Sequence, residues 1–369
     1  MSAAAHFSQS YAEARGKFLA AAEAAGLDAK AHAHPLPGRD DELLAMDVAH
    51  FGPDDADSLL VLSSACHGVE GFCGSGVQAA LLADAHWHRA ARDAGVAVLY
   101  VHALNPHGFS WWRRVTQENV DLNRNFHDFS RPLPRNEGYD RLARHIVPAT
   151  WPPAPEDEAA LAAYAAEFGE RGLQTAISGG QYDHPQGLFY GGRAPTWSNT
   201  TLRQVLREHA RRCARLVWID FHTGLGPSGH GEKICACRDD DEALRRARAW
   251  WGADVTSIYD GTSASALLTG LMWNSAYEEC PQAQYTGIAL EYGTVPFPEV
   301  TAALRADHWL AAHPQAPQAQ HEAIKRQIRD AFYVDTDEWK RQIVEQGERA
   351  ALQALAGLKG LKGLKGLAG

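Results

Sequence analysis

The tightest constraint on this chain is a set of nearly unbroken apolar, β-branched runs, each ending in a polar or glycine-rich turn. "SLLVLSSA" (58–65) leads to His67 and "VAVLYVHAL" (96–104) to Asn105 and Pro106. "RLVWIDF" (215–221) leads to His222 and Thr223, and "GIALEYG" (287–293) contains Glu291. Strands apolar along their whole length need cover on both faces. The helical stretch "SGVQAALLADAHWHRAARDAG" (75–95) joins the first two runs, so residues 58–104 read as a βαβ unit and predict a parallel or mixed sheet. Ligands of such sheets collect beyond the carboxyl ends of the strands. His67, Asn105, His222 and Glu291 all fall at or near such ends.

A length of 369 residues accommodates one large α/β domain or two ordinary ones. Tyr11, Phe18 and Leu19 recur at helical spacing and predict an opening amphipathic helix. A proline-rich connection over 132–155 precedes a helix from about Glu156. "SGGQYDHPQGLFYGGRAPTWSN" (178–199), rich in glycine, proline and aromatics, reads as a loop or hairpin region. Beyond Thr301 the pattern is helical. The ending "GLKGLKGLKGLAG" (357–369) places glycine at every third position, each weakening a helix by roughly 1 kcal/mol. The expected organisation is one catalytic domain over 1–356 and a frayed, flexible tail over 357–369.

A formal charge of −10 with no long basic stripe argues against a nucleic-acid partner. No apolar run approaches the roughly 18–20 residues of a membrane span, and the first residues lack the pattern of a secretory signal. A cytoplasmic protein with reduced thiols is therefore expected. The six cysteines contain no CxxC pair, and Cys66, beside His67, reads as a small buried residue at a strand end.

A catalytic zinc takes about three protein ligands, commonly His and Glu, and keeps a position open. His67 and Glu70 supply two if the turn at Gly68 folds them together. His222, after a strongly apolar strand, supplies a third, and Asp220, on the same strand face, is placed to orient a ligand. Taken singly, each histidine reads more readily as structural or merely exposed than as a ligand, and HxxE is common by chance. His86 and His88 read as a solvated helix face. His102 and His107 flank the Asn-Pro turn, and His230 lies in a glycine-rich loop. In "NPHGFSWWRRVTQENVDLNRNF" (105–126) the Asn123–Arg124 pair suits a carboxylate clamp, a planar guanidinium fork beside a neutral amide donor. A turn or N-cap aspartate with surface arginines explains that segment as well.

The order HxxE, NPxG, Arg, DLNRNF, strand-His and strand-Glu resembles the zinc carboxypeptidase superfamily. The closer likeness, through "GQYDHPQGLFYGG" and "PTWSN", is to a bacterial carboxypeptidase-like branch of unknown function, and it spans roughly residues 55–310. The resemblance implies a single α/β/α sandwich around a mixed, mostly eight-stranded sheet. It implies zinc held by His67, Glu70 and His222, with Glu291 as general base and acid. It also implies Arg114 as the oxyanion-stabilising group, with Asn123 and Arg124 holding a substrate carboxylate. Arg114, nine residues before Asn123, matches the superfamily spacing better than Arg113, which is kept as a further substrate-binding candidate. The activity implied is cleavage of an amide bond next to a free carboxylate, in a short peptide or an N-acyl amino acid.

Two features depart from the digestive-type members. The extra arginine after HxxE is missing from "GFCGSG", and no motif places a mobile tyrosine, for which Tyr259, Tyr277 and Tyr285 are candidates. The first rival reading is a deacylase of small N-acyl amino acids, of the aspartoacylase or succinylglutamate desuccinylase type, which usually carries a small C-terminal β-domain. A serine hydrolase is disfavoured because "CGSGV" and "GPSGH" each miss a glycine of GxSxG. A non-catalytic binding protein is disfavoured because all three ligands and the base are present.

Overall fold

The computed structural model describes residues 2–365, with side chains to residue 361. Among the described residues seven strands form one sheet: β1 (Ala29–Ala33), β2 (Ala45–Phe51), β3 (Ser58–Ser63), β4 (Ala97–His102), β5 (Arg215–Ser228), β6 (Gly231–Cys235) and β7 (Gln284–Gly293). Their spatial order is β1-β2-β4-β3-β5-β7-β6. β4, β3, β5 and β7 are parallel, while β2 is antiparallel to both β1 and β4, and β6 is antiparallel to β7. The α/β/α layout and mixed sheet are those expected, with seven strands in place of eight. The segment at 178–199, read as a loop or hairpin, adds only the isolated bridge Gln181–Tyr190, since its glycines and proline interrupt any longer ladder.

Among the described residues twelve α-helices surround the sheet: α1 (Tyr11–Ala24), α2 (Gly71–Ala83), α3 (Ala85–Ala94), α4 (Pro106–Ser110), α5 (Glu137–Ile146) and α6 (Pro155–Ser178) come first. They are followed by α7 (Trp197–His209), α8 (Asp241–Trp251), α9 (Asn274–Glu279), α10 (Phe297–Ala312), α11 (Gln318–Phe332) and α12 (Asp337–Lys365). None is long and apolar enough to cross a membrane. The stretch expected as one helix at 75–95 is two. Asp84 is extended, and its carboxylate accepts the N–H groups of His86 and Trp87 to cap α3. Every position of β3 and β4 is buried, which accounts for their apolar sequences.

The tail departs from expectation. α12 continues through the GLK repeats to Lys365, and residues 366–369 lie outside the described part. Leu358 is fully buried in the main core. Gly357 packs where a Cβ would fall 2.3 Å from the Trp250 indole, so this glycine permits close packing of α12 instead of fraying it. All six cysteines are buried free thiols.

The strand order positions the site. β3 lies between β4 and β5, so the chain leaves β3 towards one side of the sheet and later returns on the other. The crevice at the carboxyl end of β3 is the topological switch point.

Candidate functional site

β3 ends at Ser63, and the chain turns through Ala65 (φ 59°), a left-handed conformation costing a non-glycine residue roughly 1–2 kcal/mol. It then enters a single 3-10 turn, Gly68–Glu70. The N–H groups of Gly68 and Val69 donate to the carbonyls of Arg114 (3.0 Å) and Arg113 (2.9 Å). Gly68 comes so close to α4 that a Cβ would sit 2.1 Å from the Gly108 carbonyl carbon, and only glycine allows that approach. The NPxG stretch acts as a cap. Asn105 Oδ1 accepts the Gly108 N–H (2.9 Å), and Asn105 Nδ2 donates to the Arg114 carbonyl (3.3 Å).

This bracing brings His67, Glu70 and His222 together, all buried. Glu70 Oε1 lies 2.8 Å from His67 Nδ1, Glu70 Oε2 lies 3.0 Å from His222 Nδ1, and the two Nδ1 atoms are 3.3 Å apart. The Thr223 N–H donates to Glu70 Oε2 at 3.1 Å and fixes the carboxylate. Zinc bonds of 2.0–2.1 Å in tetrahedral geometry separate ligand atoms by about 3.3 Å. Two imidazoles and one carboxylate form a donor set suited to zinc, so these residues fit the ion that the resemblance implies.

The far side of each imidazole strengthens the fit. His222 Nε2 faces Asp220 Oδ2 at 2.5 Å; Asp220 Oδ1 accepts from Ser63 Oγ (2.5 Å), which in turn accepts from Trp218 Nε1 (2.6 Å). His67 Nε2 faces Asp121 Oδ1 at 3.3 Å. Both rings thus turn Nδ1 to the centre and Nε2 to a carboxylate, the arrangement that orients metal-binding histidines. Arg114 Nη2 also approaches His67 Nε2, at 2.7 Å. A guanidinium only donates, so that contact needs a lone pair on Nε2. A cation at Nδ1 needs the proton on Nε2, where Asp121 accepts it. One other group with ligand spacing occurs among the described residues, Cys66 with Asp220 and His222. There Asp220 is already committed to His222 and Ser63, and burial raises the Cys66 thiol well above its ordinary pKa.

Burial opposes ionisation of Glu70, yet the neighbouring His67 and His222 hold its carboxyl well below the usual range. Burial likewise disfavours a charged His222, but Asp220 and Glu70 outweigh it and raise its pKa well above that of a free imidazole. Glu291, paired in register with His222 across β5 and β7, lines the same cleft and accepts the Leu225 N–H at 3.1 Å. Burial and the charge of Glu70 push its carboxyl up to about 8. A cation beside it would pull that value down.

Arg114 donates from Nε to Asp121 (2.9 Å) and from Nη1 to Glu70 Oε1 (3.1 Å), so it stands at the edge of the donor cluster. Asn123 and Arg124 also line the cleft. Asn123 Oδ1 is taken by the Met272 N–H (2.8 Å), leaving the amide NH₂ as the available donor. Arg124 is buried and bonded to backbone carbonyls, from Nη1 to Asn123 O and from Nε and Nη2 to Ser178 O. Among the described residues no carboxylate lies within ion-pair distance of it. A buried guanidinium left with spare N–H groups and no anion suits an anionic ligand.

Arg113, expected beside the substrate, is not in the cleft. It is held by Asp307 (3.0 Å) and Asn119 (2.9 Å), and Lys325 completes the cluster on the buried Asp307 (2.7 Å). Adjacent positions in the Trp112–Arg114 turn direct their side chains apart, and only Arg114 faces the ligands. His102 stacks on Phe18 and bonds Ser75, His107 stacks on Trp111, and His88 is buried against Phe51 instead of solvated. His86 and His230 are exposed. None of Tyr259, Tyr277 or Tyr285 lines the cleft.

Three residues that complete the site carry weak sequence signals. Asp121 reads as a cap in DLNRNF and does accept the Asn123 N–H (3.0 Å), yet the same carboxylate serves His67 and Arg114. Thr223 acts through its backbone. Phe189, at φ 54°, lies beneath the guanidinium groups of Arg114 and Arg124, with centroid distances of 5.1 and 5.5 Å.

Solved structures with a similar course of chain include carboxypeptidase A from Helicoverpa armigera, at 12% identity and TM-score 0.45 over 88% of this chain and 74% of that one. Bovine thrombin-activatable fibrinolysis inhibitor is similar at 10% identity and TM-score 0.47, over 96% and 98%. A metallo-carboxypeptidase from Burkholderia cenocepacia is similar at 12% and 0.44, over 94% and 68%. No curated protein sequence matches the chain. The family profile described as "Protein of unknown function (DUF2817)" matches residues 7–346, and the chain belongs to that family.

Proposed function

We propose that this chain is a zinc-dependent hydrolase that cleaves an amide bond next to a free carboxylate, in the manner of a metallocarboxypeptidase. The observation that carries the reading is the buried trio of His67, Glu70 and His222, with donor atoms 2.8–3.3 Å apart and a carboxylate behind each imidazole. When bound, zinc supplies Lewis acidity, acidifying water and polarising a carbonyl. Glu291 takes the proton of the attacking water and delivers it to the leaving nitrogen. Arg114 donates to the carbonyl oxygen as it gains charge, a contribution on the order of 3 kcal/mol to the barrier. Asn123 NH₂ and the spare N–H groups of Arg124 hold the substrate carboxylate and set the amide in register.

Short peptides and N-acyl amino acids both satisfy these contacts. The full NPxG and "VDLNRNF" segments, which the deacylases usually lack, favour the peptidase-like reading. A screen of short peptides and N-acyl amino acids, with and without a chelator, tests it. Hydrolysis lost on chelation and restored by zinc is the expected result, and chelator-insensitive hydrolysis contradicts it.

A further inference from the structure

Beside the cleft lies a second cavity of about 570 Å³, formed between α6 and α10. Its size falls within the roughly 300–1,000 Å³ of small-molecule sites. α6 is interrupted at Gly169 (φ 78°), and residues from both halves, among them Leu161, Ala165, Leu173 and Ile177, face the cavity. The two spaces share a wall made of Gln174, Ser178, Phe189, Phe297 and Leu304. Ser178 is the residue whose carbonyl Arg124 holds, so the second cavity begins at the anion anchor. Phe297 lies at the junction and is 45% exposed, a large aromatic left in water where the two spaces meet.

The charged groups in this wall do not call for a polar ligand. Arg305 is buried, pairs with Glu158 at 2.7 Å and donates to the carbonyls of Ile146 and His145. Glu170 is exposed and acidic, which keeps a substrate carboxylate at Arg124 instead of in the chamber. What remains is mostly aliphatic and aromatic surface, continuous with a site that grips a carboxylate.

The geometry points to an amphiphilic substrate class: an amide bearing a free carboxylate and a large apolar substituent, the carboxylate at Asn123 and Arg124 and the apolar group in the α6–α10 chamber. This inference rests on the hydrolase reading for where the amide sits. The substituent is carried either by the acyl side of the amide or by the carboxylate-bearing residue.

The test is calorimetric binding of uncleavable sulfonamide analogues to the zinc-loaded protein. One series is N-alkylsulfonylglycines with chains of two, five and eight carbons. A second series keeps a two-carbon sulfonyl group and lengthens the side chain of the amino acid. Each buried methylene tightens binding by about threefold to fourfold, so a gain of at least about 30-fold is expected across one series. Ala165→Trp and Ala302→Trp, which fill the chamber from opposite helices and touch no group of the metal site, should remove that gain. Both should leave the two-carbon ligand bound as before, which also reports that the variants are folded; Ala165→Leu is the smaller replacement if either is not. The series whose gain disappears identifies the side that carries the apolar group. Flat affinities in both series, or a gain that survives both fillings, overturns the chamber. Chelator-insensitive hydrolysis together with an intact chain-length gain would overturn the hydrolase reading alone.

Discussion

His222 and Glu291 stand opposite each other on the adjacent parallel strands β5 and β7. That register sets a candidate zinc ligand beside a candidate proton carrier without either residue leaving its strand. A slip of one residue would turn Glu291 to the other face of the sheet. β5 is also the partner of β3, so the three strand ends that build the site are fixed to one another by backbone hydrogen bonds.

The carboxylates behind the imidazoles should matter nearly as much as the ligands. Asp220→Asn and Asp121→Asn are each expected to lower zinc affinity by roughly 10–100-fold. Competition against a chromophoric chelator measures this. Unchanged affinity in both variants would show that the rings need no such orientation.

Arg124 should set the preference for acids. The unmodified protein is expected to hydrolyse a substrate with a free carboxylate and to leave its C-terminal amide almost untouched. Hydrogen bonds to charged groups are worth about 1.5–3 kcal/mol, so Arg124→Ala should lower kcat/KM for the acid by roughly 10–150-fold. The amide should change far less. Equal turnover of acid and amide by the unmodified protein contradicts the clamp.

The Arg113–Asp307–Lys325 cluster predicts a pH dependence of stability. Burial opposes the Asp307 charge, but Lys325 and Arg113 overcome it and hold the carboxyl well below the ordinary range. A carboxyl lowered by folding gives stability that is complete above its unfolded pKa of about 3.9 and fades as pH falls through the folded value. Asp307→Asn leaves two partly buried cations, their side chains 14% exposed, without their counter-ion and should cost at most about 3–5 kcal/mol at pH 7. The gap in urea-unfolding free energy between variant and parent should narrow below about pH 4. A gap constant from pH 7 to pH 3 would refute this role.

Leu358 tests the corrected view of the tail. Fully buried within the GLK repeats of α12, it should cost about 2–5 kcal/mol on replacement by alanine, read as a lower denaturation midpoint. A midpoint equal to that of the parent would restore the frayed tail.

Much of this architecture is legible in the sequence because apolar period and strand-end chemistry are local. The runs ending before His67, His222 and around Glu291 announce buried parallel strands with polar groups at their mouths. Harder to read is whatever depends on a turn's exact course. Arg113 and Arg114 are neighbours with the same chemistry, and only the turn after Trp112 (φ 49°) decides which one enters the cleft. Asp121 looks like a cap because it is one; its second role appears only when β3 brings His67 alongside. Leu358 lies in a repeat whose composition predicts fraying, and tertiary packing on Trp250 overrides that propensity.

The most direct measurement is zinc content and hydrolysis recorded together for Glu291→Gln and His222→Ala. The glutamine variant should hold about one zinc per chain, as the parent does, and lose roughly 10²–10⁴-fold in rate, the range for a removed proton-transfer group. His222→Ala should lose the metal. A Glu291→Gln protein without zinc would make Glu291 a ligand, and one with full activity would leave the reaction without its base; either result contradicts the site described here.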